Sequence, residues 1–544
     1  MPGYAGYVPL NAEGVRNVTQ SLRLRLRPLQ VLILAVVFTV IGLPLLIGAE
    51  RRAAVTDYIS THSGLGGFRP SVLHRPDHEL SAHIPPPTGG VDPDEVPLTL
   101  EARLEWFVNR PVLEQWEAEL PSRNQCPMYT YARNTYFFHT QDDRIEKWKQ
   151  VSKDTIRRQR QKVLDYFRQL DREGQKMVWT PALEKNTPKD QRRGVIYTGG
   201  DSAKNLARLK LSLHMLRNVV NCALPVEVHH YEREMKDQAI RYELEHKYNV
   251  TLVQSKAVFT DGKPWQIKNR AFVDTKFTQF VYMDSDNLPL QDPEEHFDSV
   301  EFKQSGSVFW GDLNKDHPDN AIYRFLGRPC SDEHWPAESG QVVYDKSANE
   351  GLNLAVLHLS NHMMDDKDFY GNLAYGDKDT YRFSFYALGL DYQQAPRMFA
   401  SAGGYQDRNG QDQKEFCGHS LMHWGLTPER YKFDQAYHPK PAFLHTILGK
   451  VRYGLNPEKV FSHFKRPRED FINDKRLVRT DYQYTGECFD ITLKGPDGMP
   501  DSPNSYGDGQ GTLIPEMKEG LDPKIWAGLH AMAKDFVELN IPGT

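Results

Sequence analysis

Two aspartates, Asp284 and Asp286, follow a short apolar run in the order Asp-Ser-Asp. In an extended backbone alternate side chains share one face, so both carboxylates can point at the same place. Two converging carboxylates are hard oxygen ligands suited to Mn²⁺ or Mg²⁺. A divalent ion held there acts as a Lewis acid that neutralises a diphosphate and lets it leave. The pattern therefore predicts a metal site for a diphosphate-bearing donor, with a solvated turn at a strand end as the alternative.

The Asp-x-Asp spacing is weak evidence by itself, because it recurs in this chain at residues 92–94, 366–368 and 377–379. The context of the four copies differs. Only Asp284 and Asp286 follow an apolar strand that closes a series of alternating strands and helices. This context favours the metal interpretation for that pair.

The elements that would position the pair alternate between strand and helix. Short apolar or alternating runs predict strands at 194–198, 225–231, 250–253 and 280–283, and helical patterns lie between them. This repetition predicts an α/β fold of the Rossmann type, with a mixed, mostly parallel sheet and helices on both faces. Such sheets bind ligands at the carboxyl ends of their strands.

Thr198, Gly199 and Gly200 close the first predicted strand, at the edge where a donor phosphate would lie. A tight turn explains the two glycines as well as phosphate contact does. The chain contains no GxGxxG, GxxxxGK[ST], HExxH or GxSxG motif. Dinucleotide-binding, P-loop, zinc-protease and serine-hydrolase functions therefore have no support in the sequence.

The composition indicates a globular body. The 544 residues are 39% hydrophobic and 26% charged, with 26 Phe and 26 Tyr, which is too apolar for a disordered chain. A net charge of -5, with no long basic stripe beyond the first 30 residues, excludes nucleic acid as a partner. Five cysteines without CxxC spacing allow two disulfides and one thiol in an oxidising compartment, with the pairing open. Asn249 begins a glycosylation sequon, whose use depends on whether a strand beginning there buries it.

One segment predicts a membrane anchor. Residues 29–49 contain no charge over 21 positions, which is enough helix to cross a hydrocarbon layer of roughly 30 Å. A cleaved signal peptide or a buried core helix fits less well, because a signal h-region runs only about 7 to 15 residues. Arginines ahead of the segment favour a cytoplasmic N-terminus and a lumenal or extracellular body. The predicted regions are a cytoplasmic tail (1–28), the transmembrane signal-anchor (29–49), a Pro/Gly-rich stalk (50–100), a helical stem region (101–190), a catalytic domain (191–464) and a C-terminal extension without an assigned role (465–544).

Residues 265–293, which contain the Asp-Ser-Asp sequence, resemble the donor-site segment of the fungal Golgi α-1,2/α-1,3-mannosyltransferases that extend mannan branches, glycosyltransferase family 71. The resemblance runs over roughly residues 194 to 450 and implies a GT-A fold, GDP-mannose as donor, Mn²⁺ (or Mg²⁺), a glycan or glycoprotein acceptor and retention of the anomeric configuration. The predicted anchor has the type II topology of a Golgi membrane enzyme. Further motifs follow in the order that the family shows: Trp310-Gly311-Asp312, Glu338-Ser339-Gly340-Gln341 with Asp345-Lys346, Gly376-Asp377-Lys378-Asp379-Thr380, and Phe443-Leu444-His445 followed by Lys450.

The resemblance implies roles for individual residues. Asp284 and Asp286 contact the metal and the ribose and diphosphate of the donor, and Lys268 in the same segment also belongs to the donor site. His445 is the third metal ligand, with a core histidine bonded to backbone as the alternative. Gln341 binds sugar hydroxyls, unless its quartet is a turn that precedes a strand.

Asp377 and Asp379 lie in a polar stretch that opens an aromatic helix. Asp379 can cap that helix, while Asp377 faces the transferred sugar or deprotonates the acceptor hydroxyl. Simple capping by both aspartates is the alternative. Trp310, Trp335 and Trp424 can stack on acceptor sugars, although large aromatic side chains more often belong to the core.

Two other functions fit part of this pattern. One is the same fold with a different donor, such as UDP-galactose, and the other is a catalytically silent, membrane-tethered glycan-binding scaffold. The presence of Asp284, Asp286 and Asp377 argues against a silent protein. The sequence does not choose between a covalent nucleophile and a same-face attack for retention, and it leaves homo- or hetero-oligomerisation open.

Overall fold

The structure is a computed structural model, and it covers the body of the protein. Residues 1–95, which include the predicted anchor, and Lys450 lie outside the described residues. Within the described part, no helix has the length and apolar character needed to cross a membrane. All described residues fall in the unit Pro86–Thr544. They are 96–126, 142–257, 265–312, 316–330, 335–374, 376–408, 411–434, 436–448, 455–469, 477–481, 488–493 and 512–539.

Helices and strands alternate along most of this body. The helices are α1 (Leu100–Asn109), α2 (Gln115–Gln125), α3 (Asp142–Lys149), α4 (Lys153–Arg172), α5 (Pro181–Asn186), α6 (Ala203–His214), α7 (Gln238–Lys247), α8 (Gln266–Asp274), α9 (Val300–Ser305), α10 (Ile322–Leu326), α11 (Asn353–Asp365), α12 (Lys367–Tyr370), α13 (Asp377–Ala387), α14 (Met517–Gly520) and α15 (Pro523–Glu538). The strands are β1 (Arg193–Thr198), β2 (Val226–His230), β3 (Val250–Gln254), β4 (Gln279–Met283), β5 (Asn287–Pro289), β6 (Ser307–Gly311), β7 (Ala337–Asp345), β8 (Gln393–Gln394), β9 (Ala400–Arg408), β10 (Gln411–Trp424), β11 (Pro441–His445), β12 (His463–Pro467), β13 (Leu477–Asp481), β14 (Phe489–Leu493) and β15 (Thr512–Leu513).

The four strands predicted from the sequence form the parallel half of a seven-stranded sheet with the order β3-β2-β1-β4-β7-β6-β8. Strands β1 to β4 pair in parallel. Strand β7 runs antiparallel to both of its neighbours, β4 and β6, and β8 pairs in parallel with β6. The prediction of a mixed, mostly parallel sheet is confirmed.

Helices cover both faces of this sheet, as predicted, because side chains of each strand alternate between two cores. Ile196 of β1 belongs to one core together with Phe272 of α8 and Tyr381 of α13. Val195, its neighbour, belongs to the other core together with Leu209 of α6. Because the strands are buried on both faces, the carboxyl edge of the sheet is where their loops can meet a ligand.

The helices predicted between residues 101 and 190 are present and pack on the same body. Phe107 of α1 and Val163 and Phe167 of α4 belong to the first core, beside Phe272 and Tyr381. Burial of these side chains against the sheet stabilises both parts together.

A second sheet, which the sequence did not predict, follows the first. Its strand order is β13-β14-β10-β9-β12-β15, and β11 joins it by pairing with both β10 and β5. Residues beyond 465 supply β13, β14, β15 and the helix α15. Leu529 and Met532 of α15 pack in one core with Met422 of β10 and Leu444 of β11. The C-terminal extension is thus built into the layer that carries β11.

Asn249 lies one residue before β3 in the left-handed conformation, with φ of 51°, and it is exposed. Burial at the strand start, which would prevent glycosylation, is therefore not found. Use of the sequon stays a prediction.

The cysteines form two disulfides, Cys126–Cys330 and Cys417–Cys488, and Cys222 is a buried thiol. This confirms the prediction of two bonds and one remaining thiol. Burial raises the pKa of Cys222 to about 12, so this thiol is unreactive at neutral pH. The first bond joins the end of α2 to the segment after α10, across 204 residues of sequence.

Opening the Cys126–Cys330 bond with the double change Cys126→Ser and Cys330→Ser is expected to lower the free energy of unfolding by about 2–4 kcal/mol. The reason is that the bond closes a long loop and so restricts the unfolded chain. Chemical denaturation of the oxidised protein measures the difference. Cys222→Ala is the matched control, since it removes a thiol but no crosslink, and equal costs for the two variants would contradict the prediction.

Candidate active site

The Asp-Ser-Asp sequence lies at the carboxyl edge of the sheet, directly after β4. The backbone N–H of Asp284 donates to the carbonyl of Gly340 in β7 at 2.8 Å, so the neighbouring strand holds the turn in place. Asp284 is partly exposed and Asp286 is buried. The short strand β5 begins one residue after Asp286.

His445 reaches this pair through strand pairing. Strand β11 runs antiparallel to β5, and its last residue, His445, lies opposite Asn287. Thr446, the next residue, donates from its backbone N–H and its hydroxyl to the carbonyl of Asp286, at 3.0 and 2.8 Å. As a result Nε2 of His445 lies 3.3 Å from Oδ1 of Asp286.

Glu338 of β7 faces the other ring nitrogen of His445, with Oε1 lying 3.2 Å from Nδ1. The same oxygen accepts the backbone N–H of Gly340 at 2.6 Å. Burial alone would lower the pKa of His445, but the charges of Glu338 and Asp286 outweigh it and raise that pKa to about 10. Burial alone would raise the pKa of Glu338, but the charge of His445 outweighs it and lowers that pKa to about 2.

Asp284, Asp286 and His445 form a group whose ligand atoms all lie within 4.8 Å of one another. Both ring nitrogens of His445 are buried, and neither has a well-aligned hydrogen-bond partner among the described residues. Two carboxylates and a neutral imidazole fit Mn²⁺, and a carboxylate behind the imidazole is the usual partner of a metal-bound histidine. A bound metal ion would replace the proton that the raised pKa keeps on the His445 ring. The donor set therefore fits the predicted ion.

Gly340 is the point of closest approach to His445. A Cβ atom placed on Gly340 would overlap Nδ1 and Cε1 of the His445 ring and would lie 3.0 Å from Oε1 of Glu338. Only a glycine lets β7 pass this close to the ring.

Gly340→Ala is expected to lower the free energy of unfolding by about 1–3 kcal/mol, because the added methyl group must push the buried His445 ring aside. Affinity for Mn²⁺ should fall about tenfold or more for the same reason. Chemical denaturation and calorimetric titration with Mn²⁺ measure the two effects. Gly311→Ala in β6 is the matched control, since its Cβ would meet Met398 and Trp335 at an ordinary 3.4 Å. Unchanged Mn²⁺ affinity in Gly340→Ala would contradict the prediction.

Lys268 of α8 connects the metal triad to Asp377. Its buried Nζ lies 3.1 Å from a carboxylate oxygen of Asp284 and 3.0 Å from Oδ2 of Asp377, and it donates to the carbonyl of Ser339 at 3.0 Å. The Ser339 hydroxyl also donates to Asp377 at 2.7 Å. Burial alone would lower the pKa of Lys268, but the two carboxylates raise it above its usual range. The ammonium group is charged and holds both acids in place.

Thr198 lies on the rim of the same site. Its hydroxyl is 2.9 Å from the hydroxyl of Tyr282, which in turn donates to Asp284. Gly199 and Gly200 follow at the end of β1 and are partly exposed, and the N–H of Gly199 donates to the carbonyl of His229 in β2. The structure thus brings Thr198 and the two glycines to the edge that carries Asp284.

Two predicted site residues make structural contacts instead of contacts with Asp284. Gln341 is fully buried, and its Oε1 accepts a hydrogen bond from Asn287, so it braces the turn between β4 and β5. Asp379 is fully buried and pairs with Arg382 at 3.1 Å, and Arg382 also pairs with Asp316. These positions place neither side chain against Asp284.

Two expectations about local structure are wrong, and a third is confirmed. The turn alternative for Glu338 to Gln341 is wrong, because the quartet lies inside β7. Glu338 pairs with Trp310 of β6, Gln341 pairs with Met283 of β4, and the register with β6 shifts between these two residues. Capping by Asp377 and Asp379 is also wrong, because Gly376 is the N-cap residue of α13 and both aspartates lie in the first turn of the helix. The interpretation of three tryptophans as core residues, and not as sugar-stacking residues, is confirmed because all three are buried: Trp310, Trp335 and Trp424.

The sequence argument missed the supporting role of three residues. Glu338 backs His445, Ser339 joins Lys268 to Asp377, and Tyr282 joins Thr198 to Asp284. Tyr282 carried a usable signal, because it lies two residues before Asp284 and so shares its face of the strand. The other two depend on the pairing of β7 with β4, which has no local signal.

Several known proteins are similar in sequence to this chain. A family model described as "Mannosyltransferase putative" matches residues 192–334 and 330–425. The α-1,2-mannosyltransferase MNN21 of Candida albicans is 24% identical over 477 residues, which is 73% of this chain and 68% of that protein. The α-1,2-mannosyltransferase MNN22 of the same species is 24% identical over 318 residues, 50% of this chain and 51% of that protein. The matched part spans about half to two thirds of the length of these two relatives.

Among solved structures, the galactosyltransferase LgtC in complex with donor and acceptor sugar analogues is 11% identical, with a TM-score of 0.28 over 37% of this chain and 73% of that chain. A likeness this weak says nothing about activity. The sequence matches, together with the site, make the chain a glycosyltransferase. Within that class they confirm its resemblance to the fungal mannosyltransferases.

Proposed function

We propose that this chain is a metal-dependent, retaining mannosyltransferase with a GT-A-like fold. It moves mannose from GDP-mannose to a mannose-bearing glycan and forms an α-1,2 or α-1,3 linkage. The observation that carries the proposal is the convergence of Asp284, Asp286 and His445 at the carboxyl edge of the sheet, linked through Lys268 to Asp377. The names of the relatives, α-1,2-mannosyltransferases, support the choice of sugar.

Asp284, Asp286 and His445 would hold Mn²⁺ or Mg²⁺, which when bound would supply Lewis-acid stabilisation to the diphosphate of the departing nucleotide. Glu338 orients the His445 ring from behind. Burial raises the pKa of Asp284, and the charge of Lys268 opposes that rise. The contact with the Lys268 ammonium group also fixes the direction of the carboxylate. The partly exposed glycines after β1 leave room for the donor at the edge of the sheet.

Asp377 is placed to bind a sugar hydroxyl. Its carboxylate is held by Lys268 and by the Ser339 hydroxyl, so its orientation is set before any sugar arrives. We assign it to a hydroxyl of the transferred mannose or of the acceptor. Gln341, which is fully buried and bonded to Asn287, is assigned to bracing the site and not to contact with sugar.

We further propose that residues 29–49 anchor the enzyme in the Golgi membrane, with the N-terminus cytoplasmic and the body lumenal. The uncharged 21-residue segment and the arginines ahead of it support this topology. The two disulfides are a second support, since such bonds persist in the oxidising secretory pathway and are rare in the cytosol.

Nucleotide release by the full chain in detergent tests the function, with Mn²⁺, an α-linked mannotriose acceptor and a panel of donors that includes GDP-mannose and UDP-galactose. We expect GDP release from GDP-mannose only, abolished by EDTA and restored by Mn²⁺. Turnover of UDP-galactose instead would show that the same fold uses a different donor. The proposal would be overturned if no donor were turned over and Asp286→Asn behaved like the unchanged chain. The remaining interpretation would then be a glycan-binding scaffold without activity.

A further inference from the structure

Trp265 differs from the tryptophans that the sequence argument singled out. Its exposed fraction is 37%, whereas that of Trp310 is 0% and that of Trp335 is 6%. It immediately precedes α8, and its carbonyl accepts the backbone N–H of Lys268 at 3.1 Å. One turn of chain therefore links an exposed indole to the lysine that holds Asp284 and Asp377.

The indole of Trp265 lies against Gly376. A Cβ atom on Gly376 would lie 2.8 Å from Cε3 and 2.9 Å from Cζ3 of Trp265, so a side chain there would displace the six-membered ring. Gly376 also has φ of +87°, a conformation that other residues rarely adopt. It is the residue before Asp377, so the ring surface and the Asp377 carboxylate belong to one small region.

This region lies at the far end of a chain of contacts from the metal triad. Asp284 contacts Lys268, Lys268 contacts Asp377, and Gly376 next to Asp377 contacts Trp265. If the triad takes the diphosphate, the sugar to be transferred lies toward Asp377, and the acceptor must enter beyond it. An aromatic surface beside an oriented carboxylate suits a sugar, because the ring can pack on an apolar face while the carboxylate accepts from a hydroxyl.

We propose that Trp265, Gly376 and Asp377 form the acceptor subsite, in which the indole stacks on the apolar face of a pyranose of the acceptor glycan while Asp377 accepts a hydrogen bond from one of its hydroxyls. The inference rests on the proposed function, since it assumes that Asp284, Asp286 and His445 take the donor. It adds a residue that selects and orients the acceptor. Glycine at 376 keeps the ring in this position, because a side chain there would displace the indole.

The first test compares Trp265→Phe, which keeps an aromatic face, with Trp265→Leu, which keeps bulk but has no such face. The KM for an α-linked mannotriose should rise about tenfold in Trp265→Leu and about threefold or less in Trp265→Phe, the range expected for loss of an aromatic stack. The rise in acceptor KM should exceed any rise in donor KM. Trp116→Ala on α2, where the indole is 67% exposed, is the control and should leave both KM values unchanged.

Direct binding separates this inference from the proposed function. Titrating the full chain with mannotriose, without donor, should change its tryptophan fluorescence and protect it from acrylamide quenching, and Trp265→Phe should lose that signal while Trp116→Phe keeps it. If mannotriose binds but no donor is turned over, the proposed function is overturned and the proposed acceptor subsite stands. Turnover with an acceptor KM that is the same in Trp265→Leu and the unchanged chain would overturn the subsite. So would equal rises in donor and acceptor KM.

Discussion

Asp286→Asn is expected to lower the rate of sugar transfer by at least about a thousandfold. Asp286 is only 8% exposed, and its Oδ1 faces Nε2 of His445 at 3.3 Å. Replacing one carboxylate oxygen by an amide removes a negative charge from a three-residue ligand set. Loss of a divalent ion from a leaving diphosphate is worth several kcal/mol in the transition state, and each 1.36 kcal/mol is a factor of ten in rate.

The measurements are donor turnover and calorimetric titration with Mn²⁺. Affinity for Mn²⁺ should fall together with the rate, while the fold is kept, because Asn is nearly isosteric with Asp. Asp368→Asn is the matched control: it changes an exposed aspartate of another Asp-x-Asp sequence, which lies in α12. A rate above a tenth of the unchanged value in Asp286→Asn, or an equal loss in Asp368→Asn, would remove the basis for the metal site.

Lys268→Met is the second change for which we expect a large effect, here on stability as well as activity. The ammonium group is buried between Asp284 and Asp377 and contacts both. Removing one partner leaves charges in a dry site without compensation, which costs about 3–5 kcal/mol of unfolding free energy. Burial already raises the pKa of Asp284, and loss of the Lys268 charge would raise it further. Mn²⁺ affinity should therefore fall as well.

Lys210→Met is the control for charge and length. Lys210 forms an ion pair with Glu243 that is shorter still, at 2.5 Å, but both side chains are about a third exposed. Such a surface pair contributes about 0–1 kcal/mol. Urea denaturation should therefore separate the two variants by at least about 2 kcal/mol. If Lys268→Met is as stable as Lys210→Met, the buried network around Lys268 is not what holds this site together.

Much of the first sheet was predictable because its signals are local. The apolar runs of β1 to β4 and the spacing of Leu206, Leu209 and Leu213 on α6 each depend on a few neighbouring residues. Asp284 and Asp286 were recognisable because they end such a run. Their common face follows from strand geometry alone.

The contacts that the sequence did not reveal belong to residues whose surroundings come from distant parts of the chain. Gln341 lies in a motif beside the site, but the pairing of β7 with β4 turns it toward Asn287. Asp379 shares a turn of α13 with Asp377, yet it faces the buried pair of Arg382 and Asp316. The sequence did not identify Trp265 as a sugar-stacking residue. Neither the exposure of its side chain nor its contact with Gly376 can be predicted from the local sequence pattern.

The amino-acid sequence by itself determined the parallel strands, the helices between them, the carboxylate pair at the end of β4 and the charge-free segment 29–49. These depend on the period of apolar residues and on side-chain chemistry, which act over a few residues. Only the tertiary structure decided that His445 meets Asp286. That contact requires β11 to pair with β5 across some 160 residues of chain, as the bond from Thr446 to Asp286 shows. Strand partners are chosen by the packing of the whole sheet, which no local pattern specifies.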